Sequence, residues 1–171
     1  MYSEKILELF KNPINAGGLQ GANGTGKYID SSCGDMVKIY LKVDENKVIS
    51  EARFKAMGGV CTIVASSAIC SCLLDCTLDE ALKIDAERIF EVTGEFPSEK
   101  LYAIDIVKNA VKNAIDNYYV QLEKELKKLA NRNEEVKKVE TKKEKPVITP
   151  EIEDRRNISA AKAAFDAMFE I

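Results

Sequence analysis

Hydrophobic and polar residues alternate strictly along residues 36–43. The apolar positions of this segment are Val37, Ile39, Leu41 and Val43. After a polar turn at 44–46, a similar alternation resumes through residue 56. This period of two is typical of strands with one buried face, so the pattern predicts an antiparallel hairpin. Residues 26–30 are expected to add a third strand, because an isolated hairpin is only marginally stable.

Helical spacing predicts several helices around this hairpin. A short helix is expected over residues 3–11, with Ser3 as its N-cap. Small and apolar side chains after the glycine pair at 58–59 predict a buried helix over residues 61–74. The sequence Thr-Leu-Asp-Glu at 77–80 is a capping box and predicts the start of a further short helix, and residues 85–92 predict one more.

The longest helical pattern runs from about residue 98 to about residue 130. At about 1.5 Å per residue this helix exceeds about 45 Å, so its far end should project or pack on another chain. Residues 131–157 are charged and poor in apolar side chains, which predicts a linker after a domain over residues 1–130. Residues 158–171 predict a short amphipathic C-terminal helix that is either a frayed tail or a peptide that docks on its own domain, a neighbour or a partner.

Charge and composition exclude several classes of function. The 171 residues include 25 basic and 28 acidic side chains, so the chain lacks the excess of positive charge expected of a general nucleic-acid binder. No apolar run reaches about 18 residues and the N-terminus lacks the order of a signal peptide, so we expect a cytoplasmic protein without a membrane anchor. The chain contains no histidine, which excludes Ser-His-Asp and Cys-His catalysis and leaves thiolates and carboxylates as metal ligands.

The five cysteines are the candidate chemistry of this chain. Cys33 lies between the first two predicted strands, two residues before Asp35, and Cys61 lies at the start of the buried helix. A cysteine at a helix N-terminus has its thiolate favoured by the helix dipole, although Cys61 can equally be a core residue. If these segments meet, the three side chains form a thiolate-rich metal site; otherwise this is a small apolar domain with buried cysteines. The remaining cysteines are expected to be structural: Cys70, Cys72 and Cys76.

Several segments together resemble the IscU/NifU N-terminal-domain family, the scaffold proteins for iron–sulfur cluster assembly. The similarity extends from residue 1 to about residue 120 and includes YSEK from residue 2, NPINAG from 12, CGD from 33, FKAMG from 54, ASS from 65 and TLDEAL from 77. This resemblance implies an α+β fold with a small antiparallel three-stranded sheet and helices packed on one face. In this chain the long C-terminal helix and an extra tail would follow.

The resemblance also implies a function. It implies a scaffold that binds iron or a [2Fe–2S] cluster transiently, receives sulfur from a cysteine desulfurase and delivers the cluster to apo iron–sulfur proteins. Such a protein is a binding protein and not an enzyme, although it can accept sulfur. A homo-oligomer through the long helix or the tail is a further expectation.

The family's ligand positions are only partly conserved in this chain. Cys33 matches the first family cysteine and Asp35 matches its neighbouring aspartate, whereas the second family cysteine falls one or two positions before Cys61. The His-Cys pair that carries the third family cysteine is Tyr102-Ala103 here. The ligands expected from the resemblance are therefore Cys33, Asp35 and Cys61.

Two alternatives to an iron–sulfur scaffold remain open from the sequence. A thiolate and carboxylate set suits zinc as well as iron, so the chain can be a zinc-binding sulfur acceptor of the same family. Because the third cysteine is missing, the chain can also be a metal-free interaction module that has lost cluster binding.

Overall fold

The structure is a computed structural model that describes residues 2–143, with side chains as far as residue 133. The chain divides into two compact units, Met1–Ala130 and Asn131–Ile171, and the sheet and the candidate site lie in the first. In chain order the elements are α1 (Glu4–Lys11), β1 (Gly24–Ile29), β2 (Met36–Val43), β3 (Ile49–Met57), α2 (Val60–Leu73), α3 (Leu78–Ala81), α4 (Ala86–Thr93), a 3-10 turn (Ser98–Lys100) and α5 (Tyr102–Lys143). Within residues 2–143 no helix has the length and apolarity needed to cross a membrane.

The three strands form one antiparallel sheet in the order β1-β2-β3. The alternation along β2 places its apolar side chains on the buried face, where Val37, Ile39 and Leu41 are fully buried. On the opposite face, Lys38 and Tyr40 remain partly exposed. The sheet therefore has one face covered by helices, which confirms the predicted α+β fold with a three-stranded antiparallel sheet.

Helix α2 runs through the centre of the core. Most of its side chains are buried, because small residues from Ala65 to Ala68 allow close packing on its neighbours. Other helices start with a side-chain cap of their own: Ser3 accepts a hydrogen bond at α1, and Thr77 and Glu80 form the predicted capping box at α3. The N-cap residue of α2 is instead Gly59, which has no side chain to form such a bond.

The long helix extends further than the sequence pattern predicted. Helix α5 continues to Lys143, whereas the pattern placed its end near residue 130 and a linker over residues 131–157. Residues 131–143 contain no proline or glycine and are rich in Glu and Lys, which have high helix propensity. Residues 131–143 of the predicted linker are therefore helical, and its remainder and the helix predicted over 158–171 lie outside the described residues.

Candidate cysteine and aspartate site

A tight loop between β1 and β2 carries the first candidate cysteine. The Asp30 amide donates to the Asp35 carbonyl at 2.9 Å and the Gly34 amide donates to the Asp30 carbonyl at 2.8 Å, which closes the loop at both sides. Gly34 has a φ of +77°, a conformation that glycine adopts without strain. This geometry leaves Cys33 exposed to solvent at the tip of the loop.

Asp35 points from the start of β2 to the start of α2. Its side chain is only 7% exposed, and its Oδ2 accepts hydrogen bonds from the Gly59 amide, at 3.3 Å, and from the Thr62 hydroxyl. The carboxylate therefore lies at the N-terminus of α2, where it bonds the amide of the N-cap residue Gly59 and the side chain of Thr62, and its negative charge is at the favourable end of the helix dipole.

Gly58 provides the space for this carboxylate. A Cβ at residue 58 would lie 2.5 Å from Cγ of Asp35 and 2.7 Å from both of its carboxylate oxygens. At the next residue, Gly59, a Cβ would lie 3.9 Å from Oδ2, which is an ordinary contact distance. Of the two residues in the predicted glycine pair, Gly58 is thus the one that the Asp35 contact requires.

Cys61 lies in the first turn of α2, as predicted, but its side chain is only 1% exposed. Burial raises the pKa of its thiol, and the Lys100 ammonium and the Tyr2 hydroxyl lower it in part. The expectation that the helix dipole favours a Cys61 thiolate is therefore outweighed by burial. Tyr2, before α1, is partly buried and packs against the same core.

The three predicted ligands do not form a metal site as they stand. Within residues 2–133 no three Cys, Asp or Glu side chains are grouped in a way that could hold a metal ion as they stand. Two features limit metal binding here: the Cys61 thiol is buried, and one oxygen of Asp35 accepts hydrogen bonds from the Gly59 amide and the Thr62 hydroxyl. That Cys33, Asp35 and Cys61 bind a metal together thus stays a prediction.

The other three cysteines follow along α2 and beyond its end. Cys70 and Cys72 are buried, and Cys76 is partly exposed. Burial raises the pKa of each of these thiols. The Cys72 and Cys76 thiols lie close to the backbone carbonyl oxygens of Arg88 and Cys72, at 3.7 Å and 3.2 Å respectively. These environments agree with protonated, structural thiols.

The third family cysteine is replaced by Ala103, which lies in the first turn of α5. Ala103 is fully buried, and the partly exposed residue before it is Tyr102. Burial raises the pKa of the Tyr102 phenol and the Lys100 ammonium partly lowers it. Three further groups raise this pKa through their negative charge: Asp35, Cys33 and Cys61.

Comparison with known proteins identifies the family of the first unit of the chain. The model of the family described as NifU-like N terminal domain matches residues 1–125. The chain belongs to the NifU-like N-terminal domain family.

Relatives of this NifU-like chain are known from archaea and bacteria. The iron-sulfur cluster assembly scaffold protein IscU 1 of Archaeoglobus fulgidus is 33% identical over 140 residues, which cover 75% of this chain and 91% of that protein. The nitrogen fixation protein NifU of Azotobacter chroococcum is 40% identical over 118 residues, which cover 68% of this chain and 38% of that protein.

Solved structures confirm the fold of this NifU-like chain. A nitrogen-fixing NifU-like protein (N-terminal) from Brucella abortus has a TM-score of 0.56 at 17% identity, with 68% of this chain and 93% of that chain covered. A putative scaffold protein for the SUF system from Fervidobacterium islandicum has a TM-score of 0.55 at 19% identity, with 66% and 95% covered. At these identities the likeness concerns the fold alone.

Proposed function

We propose that this chain is a scaffold on which iron and sulfide are assembled and from which the product passes to other proteins. The observation that carries the proposal is an exposed cysteine, Cys33, on a closed loop beside a buried carboxylate, Asp35, in a chain whose relatives are named as such scaffolds. The role is one of binding and transfer, with iron and sulfide as cargo.

The candidate donors differ in how accessible they are to iron. The Cys33 thiol is open to solvent, and both hydrogen bonds recorded for the Asp35 carboxylate are to Oδ2, so Oδ1 is the oxygen available to a metal. Cys61 is only 1% exposed, so iron binding by its thiol requires the side chains around it to move. Iron–sulfur clusters are usually held by four cysteines. A set with fewer thiolates holds its cargo less firmly, which suits a protein that must release it.

An apolar row at the base of the Cys33 loop offers a surface for protein partners. The strand register places Ile29, Met36 and Met57 side by side at one end of the sheet. Ile29 is 54% exposed and Met57 is 68% exposed. Apolar side chains so exposed next to a reactive thiol suit transient contact with a cysteine desulfurase and with apo iron–sulfur proteins.

Sulfur transfer to this site requires only an accessible thiolate. The Cys33 thiolate attacks the terminal sulfur of a desulfurase persulfide, so that one sulfur–sulfur bond breaks, another forms and the desulfurase thiolate leaves. The exchange itself involves no net oxidation or reduction. Two electrons from a thiol or ferredoxin-type reductant then convert the bound sulfane sulfur to sulfide.

A Cys33→Ser variant tests the proposal. The full chain is incubated without oxygen with ferrous iron and sulfide, desalted, and assayed for iron per chain and for visible charge-transfer absorption. We expect the unmodified chain to retain iron and colour and Cys33→Ser to lose both, because the open thiolate is its most accessible soft ligand.

Cys76→Ser is the matched control, since Cys76 is also accessible in part but follows the far end of α2. It should load iron as the unmodified chain does. Loading of Cys33→Ser to the level of this control, or a failure of the unmodified chain to retain any iron, would contradict the proposal. Circular dichroism of each variant verifies that the fold is kept.

A further inference from the structure

The face of the sheet that the helices leave open carries a row of three lysines. The strand register pairs Lys27 of β1 with Lys38 of β2, and Lys38 with Lys55 of β3. Lys27 and Lys55 are exposed and Lys38 is partly exposed, on the face opposite to the buried Ile39. Neighbouring strands lie about 4.7–4.9 Å apart, so three positively charged side chains start from adjacent positions of one surface.

This row is unfavourable for the domain by itself. Like charges directly opposite each other across strands are destabilising, and Lys38 has such a neighbour on both sides. On the same face Lys42 pairs with Glu51 at 3.1 Å. Within residues 2–133, neither the three lysines nor Arg53 takes part in an ion pair. A surface that keeps this much unbalanced positive charge suits an anionic surface outside the domain.

The lysine row adjoins the apolar row Ile29, Met36 and Met57 at the base of the Cys33 loop. The two rows are separated by two residues along each strand, which is about 7 Å at about 3.3 Å per residue. A partner that contacts the apolar row therefore also reaches the lysines. The whole chain has a net charge of −3, yet this face of the three strands has one carboxylate and five cations, which are Lys27, Lys38, Lys42, Arg53 and Lys55.

We propose that this cationic sheet face, defined by Lys27, Lys38, Arg53 and Lys55, docks an acidic protein. Carboxylates of the partner lie over the cations, and its apolar side chains meet the row beside the Cys33 loop. The inference goes beyond the proposed function, because it concerns how a partner is recognised and holds whether or not Cys33 binds iron. Complementary charge speeds the encounter and fixes the orientation of the partner, with Cys33 at one end of the contact.

The chemistry of this face favours a protein over a nucleic acid. Lysines predominate on the three strands, and Arg53 is the one guanidinium there that could bind a phosphate in a bidentate manner. The Lys38 ammonium lies 5.0 Å from the centroid of the Tyr40 ring, which leaves less of this ring for stacking with a base. The adjoining apolar row supplies the kind of contact found at the centre of protein interfaces.

Poly-L-glutamate is the probe that tests this inference. The full chain, isotope-labelled and free of metal, is titrated with it at low ionic strength, and the amide chemical shifts locate the binding surface. We expect the largest changes on the three strands. The triple variant Lys27→Gln, Lys38→Gln, Lys55→Gln should bind about tenfold more weakly, because three exposed charge contacts are lost. Raising the salt concentration from about 0.01 M to about 0.15 M should also weaken binding, because the Debye length falls from about 30 Å to about 8 Å.

A second triple variant with the same change in net charge is the matched control. It replaces three exposed lysines of α5, as Lys108→Gln, Lys112→Gln and Lys124→Gln, and should bind poly-glutamate as the unmodified chain does. Equal loss of affinity in the two variants, shift changes outside the sheet, or no binding at all would overturn the inference. Tighter binding to single-stranded DNA or to phosphatidylserine vesicles than to poly-glutamate would overturn the choice of an acidic protein. The loading of iron and sulfide decides the proposed function separately in each case.

Discussion

A Gly26→Ala variant should lose most of its stability or fail to fold. Gly26 lies in β1, where a Cβ would be 2.1 Å from the backbone nitrogen of Ala114 and 2.2 Å from the carbonyl oxygen of Ala110. Both atoms belong to the backbone of α5, so neither can rotate out of the way. Overpacking of a core costs about 1–3 kcal/mol and occasionally more, and a backbone clash of this size belongs at the upper end or beyond.

Gly18→Ala is the control for this prediction. A Cβ at residue 18 would meet only the end of the Lys55 side chain, at 3.6 Å. Its free energy of unfolding should lie within about 0.5 kcal/mol of the unmodified chain. Urea denaturation followed by circular dichroism measures both variants, and equal stability of the two would show that β1 does not pack against α5 as described.

An Asp35→Ala variant should also be clearly destabilised. The substitution removes a negative charge from the N-terminus of α2, which costs about 1 kcal/mol, and leaves the buried Thr62 hydroxyl without its acceptor, which costs about 1–3 kcal/mol. We therefore expect the free energy of unfolding to fall by about 2–4 kcal/mol. Asp35→Asn keeps a side-chain oxygen as acceptor, so its free energy of unfolding should lie between those of Asp35→Ala and the unmodified chain.

Asp116→Ala provides the comparison, because Asp116 is an exposed residue within α5. Its stability should match that of the unmodified chain in the same urea denaturation. If Asp35→Ala is as stable as Asp116→Ala, the carboxylate does not hold the start of α2. The role of Asp35 would then have to be sought in metal binding alone.

Local patterns of sequence predicted most of the fold. The alternation along β2 predicted the strand that the structure contains, and the capping box at Thr77 predicted the start of α3. Both features depend on neighbouring residues, so a single sequence is sufficient to find them. The end of α5 was misplaced because the loss of apolar periodicity after residue 130 indicates only that a helix leaves the core, and charged residues can continue it.

The candidate site was predicted less completely. The sequence left open whether the start of β2 and the start of α2 meet, and in the structure Asp35 contacts Gly59. The burial of Cys61 had no local signal, since it depends on how distant parts of the chain pack together. Tyr102 takes the place of the family's histidine, which the sequence shows. That the charges of Asp35, Cys33 and Cys61 raise its pKa depends on tertiary packing, which the sequence does not show.

The most direct measurement for a scaffold role is the transfer of an assembled cluster to an apo-ferredoxin. The full chain, loaded anaerobically with iron and sulfide, is mixed with apo-ferredoxin with and without a chelator that captures free iron. We predict that holo-ferredoxin forms at a similar rate in both cases while the chain loses its colour. Retention of the iron by the chain, or transfer that the chelator abolishes, would contradict the scaffold role.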